Sequence, residues 1–496
     1  MGSSIETDAV KQGDVEAFSR RLDEQLGLLK QAVRTPGFGG DPLCIGAELE
    51  MYLVDNDAKV SPSNHILLEA LNDSQFQAEI NQYNLELNLS VFQQKGRPFS
   101  KLREEMQRKT DHLQRLAEHT GVNVVPIGIL PTLRQHHLSK EFMTPLPRYQ
   151  ALADRLYHLR GEPFRLNITG EEPVSITCDD VTAEGANTSF QVHMMVQHSQ
   201  FAELFNAVQL TQPFVTAVAA NSGVLLGNLS WDETRVALFK QALDTRLPEQ
   251  RSRWRQPTRV AFGFGWVRHD AWELFAEAVS LNTPLLPVLS DEDSAQVLAS
   301  GKLPKFKELC VHMGTIWPWN RPVYCHQGKG HVRIELRAIP AGPTSMDMLA
   351  NAAFAIGLAN GIAPQMETYL AALPFRFAEY NFYRAAQNGL DAHILWPKAG
   401  SHQLSEIPLI SLMEEMLTYA HDGLLKIGVE SEEVQFFLDV IAKRMACGVN
   451  GARWQKRTLS TLSQSMERDK ACQEMVRRYM ENARSCQPVS QWPRIW

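Results

Sequence analysis

Glu48 and Glu50 sit two apart in the run CIGAELEMYLVD (44–55), which is otherwise apolar. Strand alternation sends both carboxylates to one face and Leu49, Met51 and Leu53 to the other. Two like charges held this way repel unless something positive lies between them. Three more runs repeat the pattern. In YNLELNLS (83–90), Asn84, Glu86 and Asn88 oppose Leu85, Leu87 and Leu89. In FQVHMMV (190–196), Gln191 and His193 oppose Phe190, Val192, Met194 and Val196. In HVRIELRA (331–338), Arg333, Glu335 and Arg337 oppose Val332, Ile334 and Leu336.

Any one of these runs reads equally as an antiparallel strand with a solvated face. Together they offer glutamates, a histidine, amides and arginines, and no lysine. Carboxylates with an imidazole suit Mg2+ or Mn2+, which prefer hard oxygen ligands. The guanidinium fork matches carboxylate and phosphate. Acids for metal and arginines for phosphate on one face describe a metal–nucleotide site. Arg321 in NRP (320–322) and Arg235 in SWDETR (230–235) are further candidates, each also readable as a surface arginine. There is no GxxxxGK[ST] and no HExxH, and FGFGW (262–266) lacks a third glycine. Any ATP is therefore expected to be held through metals and arginines.

The elements that must position these residues alternate along the chain. Helical spacing covers 14–33, and TPGFGGDP (35–42) breaks the chain before the first strand. A helix is expected at about 100–119, and VNVVPIGIL (122–130) reads as a strand stopped by Pro131. Ser230 and Glu233 read as a capping box that opens a helix. The apolar run 348–364 reads as a buried core helix, short for a membrane span and broken by Asn351 and Asn360. From about 405 onward the pattern is all helix, with Leu459, Leu462, Met466, Met475 and Tyr479 marking the last one. The expected organisation is a lead-in over 1–42, a catalytic domain over 43–404 and a helical region over 405–496 packed on the same core.

Composition narrows the function. The 496 residues are 44% hydrophobic and 21% charged, as in ordinary globular chains. A formal charge of 49 − 56 = −7 speaks against nucleic acid and an anionic membrane surface as partners. The opening MGSSIETDAV has no basic and apolar signal pattern, and seven scattered cysteines without a CxxC fit reduced thiols. Both point to the cytoplasm.

IGAELEMYLVD, NLELNLS, FQVHMMV, RIELRA and NFYRAAQNGLDA (381–392), in this order, resemble the glutamate–cysteine ligase family. Its bacterial carboxylate–amine ligase branch, in the glutamine-synthetase-like superfamily, is the nearer likeness, over about residues 43 to 450. The resemblance implies an α+β fold: a curved antiparallel sheet forming a funnel, flanked by helices, with a helical C-terminal region. It implies ATP and Mg2+, or Mn2+, and activation of a carboxylate, typically the γ-carboxylate of glutamate, as an acyl phosphate that an amine attacks. By the same resemblance Glu48, Glu50, Glu86, His193 and Glu335 bind metal. Arg337 and Arg235, again by the resemblance, hold the phosphoryl group or acidic substrate. Gln191, Arg333 and Arg321, polar residues of the same runs, are expected to serve the nucleotide. The family often carries an aspartate shortly after E-x-R, where this chain has Ala338-Ile339-Pro340. HMGTIWPWNRPVY (312–324) is unusually aromatic, and Trp317 and Trp319 read either as packing or as pocket walls.

The expected partners are therefore an acidic amino acid and a small amine, in a chain able to form homo-oligomers. Two other readings stand beside the ligase: a guanidino phosphotransferase on the same fold, and a non-catalytic metabolite-binding relative.

Overall fold

A computed structural model describes residues 12–246, 257–398 and 403–496. The opening MGSSIETDAV lies outside the described residues. Fourteen strands are assigned among them. In chain order they are β1 (Cys44–Val54), β2 (Phe76–Ala78), β3 (Asn84–Asn88), β4 (Phe92–Gln93), β5 (Asn123–Val125), β6 (Phe164–Ile168) and β7 (Val174–Cys178). There follow β8 (Phe190–Met195), β9 (Val224–Leu225), β10 (Asn228–Leu229), β11 (Asn320–Cys325), β12 (His331–Leu336), β13 (His393–Pro397) and β14 (Leu404–Pro408). Eight of them form one open sheet in the order β11-β12-β8-β1-β3-β2, with β4 and β5 added to β1. Every ladder in it is antiparallel. The α+β class holds.

One face of this sheet is dry. Leu49, Met51, Leu85, Leu87, Phe190 and Ile334 are fully buried. Each contributes about 2 kcal/mol by leaving water. The helices Pro98–Glu118 and Ser345–Ile362 cover this face. The second is apolar enough to cross a membrane by composition, but it lies inside the protein and is buried almost throughout. The helices Phe201–Ala219, Met413–Lys426 and Ser431–Cys447 pack on it in turn. Contact with Met413–Lys426 is so close that a Cβ on Gly361 would lie 1.9 Å from the Tyr419 carbonyl oxygen. The helix Ser431–Cys447 is tied to Ser345–Ile362 by Arg444, whose Nη2 donates to Asp347 Oδ1 at 2.8 Å. With its apolar alternates committed to this core, the sheet must turn its polar alternates the other way.

Four local expectations fail. VNVVPIGIL pairs only over Asn123–Val125, because Pro126 has no N–H to continue the ladder. Ser230 and Glu233 form no capping box. Glu233 instead accepts the Asn221 backbone N–H at 3.0 Å, and the helix starts later, at Arg235. Residues 404–408 are a strand, not helix, paired with β13. The last helical pattern is two helices, Gly451–Leu462 and Arg468–Arg484, with Met466 exposed between them.

Candidate functional site

Directly opposed residues of antiparallel strands share a face. The register sets Glu48 opposite Gln191 and Asn88, and Glu50 opposite Glu86. His193 stands opposite Glu335, which stands opposite Arg321. The polar alternates of five strands thus converge on the uncovered face.

They separate into two groups. In the first, one ligand atom each from Glu48, His193 and Glu335 lies within 4.8 Å of the others. His193 Nε2 is 3.0 Å from Glu48 Oε1 and 3.9 Å from Glu335 Oε1. Arg333 Nε donates to His193 Nδ1 at 3.1 Å. That bond puts the ring proton on Nε2. Metal ligation through Nε2 would move the proton to Nδ1, and Arg333 would then have to release that nitrogen. Arg321 grips Glu335 with two donors, Nε to Oε2 and Nη2 to Oε1, the latter at 3.2 Å. Arg337 Nη1 reaches Glu335 Oε2 at 3.4 Å and donates to Gln191 Oε1 at 2.5 Å. Burial alone would raise Glu335, but Arg321, Arg337 and His193 outweigh it and hold the carboxyl well below the usual range. Burial likewise opposes ionisation of Glu48, and His193 more than offsets it.

In the second group, ligand atoms of Glu50, Glu79 and Glu86 lie within 4.8 Å of one another. Glu50 Oε2 accepts from Ser189 N at 2.6 Å and Ser189 Oγ at 3.0 Å, and Oε1 accepts from Gln191 Nε2 at 2.8 Å. Glu86 Oε1 accepts from Asn88 Nδ2 at 2.6 Å. Burial raises Glu50 despite Arg337 nearby, and burial with the charge of Glu86 pushes Glu79 well above its ordinary value. Burial, then Glu48 and Glu50, raises Glu86 to about 7. Glu184 beside this group rises to about 8 through burial and Glu50. Among the described residues the ion pairs of this face fall on Glu48 and Glu335, with Arg235 pairing to Glu233 behind them.

Arg235 opens the helix Arg235–Ala242 and is 2% exposed. Its Nη2 donates to the Arg337 carbonyl at 3.2 Å, and its Nη1 is buried without an acceptor, as is Arg337 Nε. Leaving buried guanidinium donors empty is costly, so the pair suits an oxygen-rich ligand.

The sequence-derived candidates Glu48, Glu50, Glu86, Gln191, His193, Arg235, Arg321, Arg333, Glu335 and Arg337 are all brought to this region. Glu79 and Glu184 were not among them. Glu79 follows the three-residue β2, and Glu184 lies in the turns before β8, so neither belongs to an alternating run. Trp317 and Trp319 are packing, not pocket walls. They are 8% and 1% exposed, with ring centroids 6.5 and 5.7 Å from that of Phe239. Cavities of about 780 and 680 Å³ lie elsewhere, one against the helix Gly451–Leu462 and one at the β8 end of the sheet. The acid face itself is largely buried, with Gln191 3%, His193 8% and Glu335 2% exposed.

The sequence model of the family described as glutamate-cysteine ligase family 2 matches residues 44–482. No curated protein matches the sequence. Among solved structures, glutamate–cysteine ligase from Francisella tularensis, in complex with AMP, is similar at a TM-score of 0.55 and 11% identity, over 90% of this chain and 91% of that one. A bifunctional glutathione synthetase from Pasteurella multocida gives a TM-score of 0.48 at 12% identity, over 94% of this chain and 55% of that one. The complex of the prokaryotic ubiquitin-like protein Pup with its ligase PafA gives 0.37 at 10%, over 87% and 71%. At such identities the first likeness concerns the fold alone, and no argument rests on the other two.

Proposed function

The chain belongs to glutamate–cysteine ligase family 2, and from that premise we propose an ATP- and Mg2+-dependent carboxylate–amine ligase. Its acid is the γ-carboxylate of glutamate, and its acceptor is a small amine or amino acid such as cysteine. ADP and phosphate are the other products. The observation that carries this reading is the pair of three-ligand groups on one sheet face, with orphaned arginine donors beside them. The donor set fits hard divalent ions: five carboxylates and one imidazole. Glu48, His193 and Glu335 would hold one, and Glu50, Glu79 and Glu86 another. Bound there, such ions supply charge cancellation at polyphosphate oxygens.

The protein's own part is to bind and orient. Arg337 and Arg235 take the oxygens of the substrate carboxylate or of the transferring phosphoryl group. Gln191 bridges Glu50 and Arg337 and fixes the distance between acid group and arginine. Arg321 keeps Glu335 ionised, and Arg333, once released by His193, turns to the nucleotide. No side chain acts as nucleophile. The substrate carboxylate attacks the terminal phosphorus of ATP and ADP leaves. The amine then attacks the activated carbonyl, phosphate leaves, and the amide forms as the nitrogen loses its proton. An ATP-consuming site of this kind belongs in the cytoplasm.

The test is a screen of purified protein with ATP, Mg2+ and crossed panels of amino acids and amines, read by mass spectrometry. The ligase reading expects a product equal in mass to acid plus amine less water, with free phosphate. ADP without free phosphate would favour a phosphotransferase. Nucleotide turnover left unchanged by Glu50→Gln would sink the reading.

A further inference from the structure

The cavity of about 780 Å³ against the helix Gly451–Leu462 contributes nothing to the acid face, and no residue lining it belongs to the eight-stranded sheet. Its volume is that of a small-molecule site. One wall is cationic. Arg453, Lys456 and Arg457 are spaced three and one apart, so all three project from neighbouring turns of the same helix. Acids of the lining sit on these cations: Glu171 from the β6–β7 turn and Asp232 on Lys456, and Asp391 from the short turn Gly389–Asp391 on Arg453. Trp231 and Trp496 supply apolar surface.

The existing pairings leave room for a ligand. Lys456 Nζ is committed, donating to Asp232 Oδ1 at 2.9 Å and to the Ser230 carbonyl at 3.1 Å. Its further partner Glu171 is 55% exposed, and Asp391, the partner of Arg453, is 82% exposed. The acid of each pair reaches solvent while its cation is 15% exposed, so a ligand can compete for the acid from the solvent side. Arg457 is exposed and pairs with no carboxylate among the described residues; its guanidinium lies 5.9 Å from the Trp496 ring centroid. Three cations and three acids interleave along the lining and make the cavity neutral overall. A simple anion or cation would meet like charge beside opposite charge. A molecule carrying both charges can answer both.

We propose that this cavity binds a small zwitterion, an α-amino acid or dipeptide with an apolar side chain. Its carboxylate goes to Arg457 and Arg453, its ammonium to Asp391 and Glu171, and its apolar part to Trp231 and Trp496. The site is separate from the acid face, yet Asp232 stands three residues before Arg235. Its neighbour Glu233 bridges to Ser222 and pairs with Arg235. Lys456, which holds Asp232, therefore ties the cavity's lining to the segment that places Arg235.

Titration calorimetry on the full chain tests this with L-phenylalanine and glycyl-leucine, against phenethylamine and phenylpropionate as singly charged analogues. Saturable binding of at least one zwitterion is expected, with the analogues about tenfold weaker or worse. Arg457→Glu and Asp391→Lys, both at exposed positions, should each weaken it by about tenfold. Glu50→Gln should leave it unchanged. The proposal is overturned by no saturable binding of either zwitterion, by analogues that bind as well, by affinity indifferent to both cavity variants, or by binding lost in Glu50→Gln.

Discussion

The two acid groups on the sheet share a face and differ in how their charge is managed. Glu48 and Glu335 sit among Arg321, Arg337 and His193, which hold both ionised although burial opposes it. Glu50, Glu79 and Glu86 sit among one another, and burial raises all three. The first group is balanced by the chain itself. The second is short of positive charge, which suits it to a divalent cation. The same residue type on the same sheet thus does two jobs, set by which strand brings the arginines. β11 carries Arg321 and Arg337 follows β12, whereas β2 and β3 carry no arginine.

Mutations should separate the two groups. The largest effect is expected from Glu86→Gln, which should lower ligation turnover by on the order of 10³-fold. It removes repulsion from the resting protein, so thermal unfolding without metal should not occur earlier; a loss of both activity and stability would erase the distinction. Glu335→Gln should instead cost about 3 kcal/mol in urea unfolding, because it strands the guanidinium of Arg321 beside a neutral amide. Arg333→Ala touches the first group only through its hydrogen bond to His193 Nδ1. It should raise the ATP KM about tenfold with kcat nearly kept, the signature of a lost binding contact.

The smallest effect is in pH. Glu86 and Glu184 have folded-state values of about 7 and about 8 against an ordinary 4.5. Over that window the folded protein holds more protons than the unfolded chain, so stability falls as pH rises from about 4.5 to about 8. Mg2+ competes with those protons. Its stabilisation should be larger at pH 8 than at pH 6 in differential scanning calorimetry, and equal shifts at the two values would place the ion elsewhere.

Much of this was legible in the sequence because a strand has period two. With one face bound to the core, every alternate acid, amide or arginine on β1, β3, β8 and β12 had to share the other face. That logic yielded Glu48, Glu50, Glu86, His193 and Glu335 without any contact being known. It fails where the backbone leaves the ladder. Glu79 sits past a three-residue strand and Glu184 in a turn, and a lone acid in irregular backbone carries no periodic signal. Arg235 stood in SWDETR as a candidate also readable as a surface arginine, and the resemblance gave it a role; the capping box read for Ser230 and Glu233 was wrong because Glu233 is spent on Asn221. Trp317 and Trp319 stood out by composition, which says nothing about whether a ring faces a core or a cavity.

The central claim is that a substrate carboxylate is activated by phosphoryl transfer on this face. The most direct measurement uses the acid substrate labelled with heavy oxygen in its carboxylate and follows the label into released phosphate by mass spectrometry. One labelled oxygen is predicted in each phosphate formed, because the attacking carboxylate oxygen stays on phosphorus when the amine displaces it. Phosphate released without label, alongside a ligated product, would contradict the account.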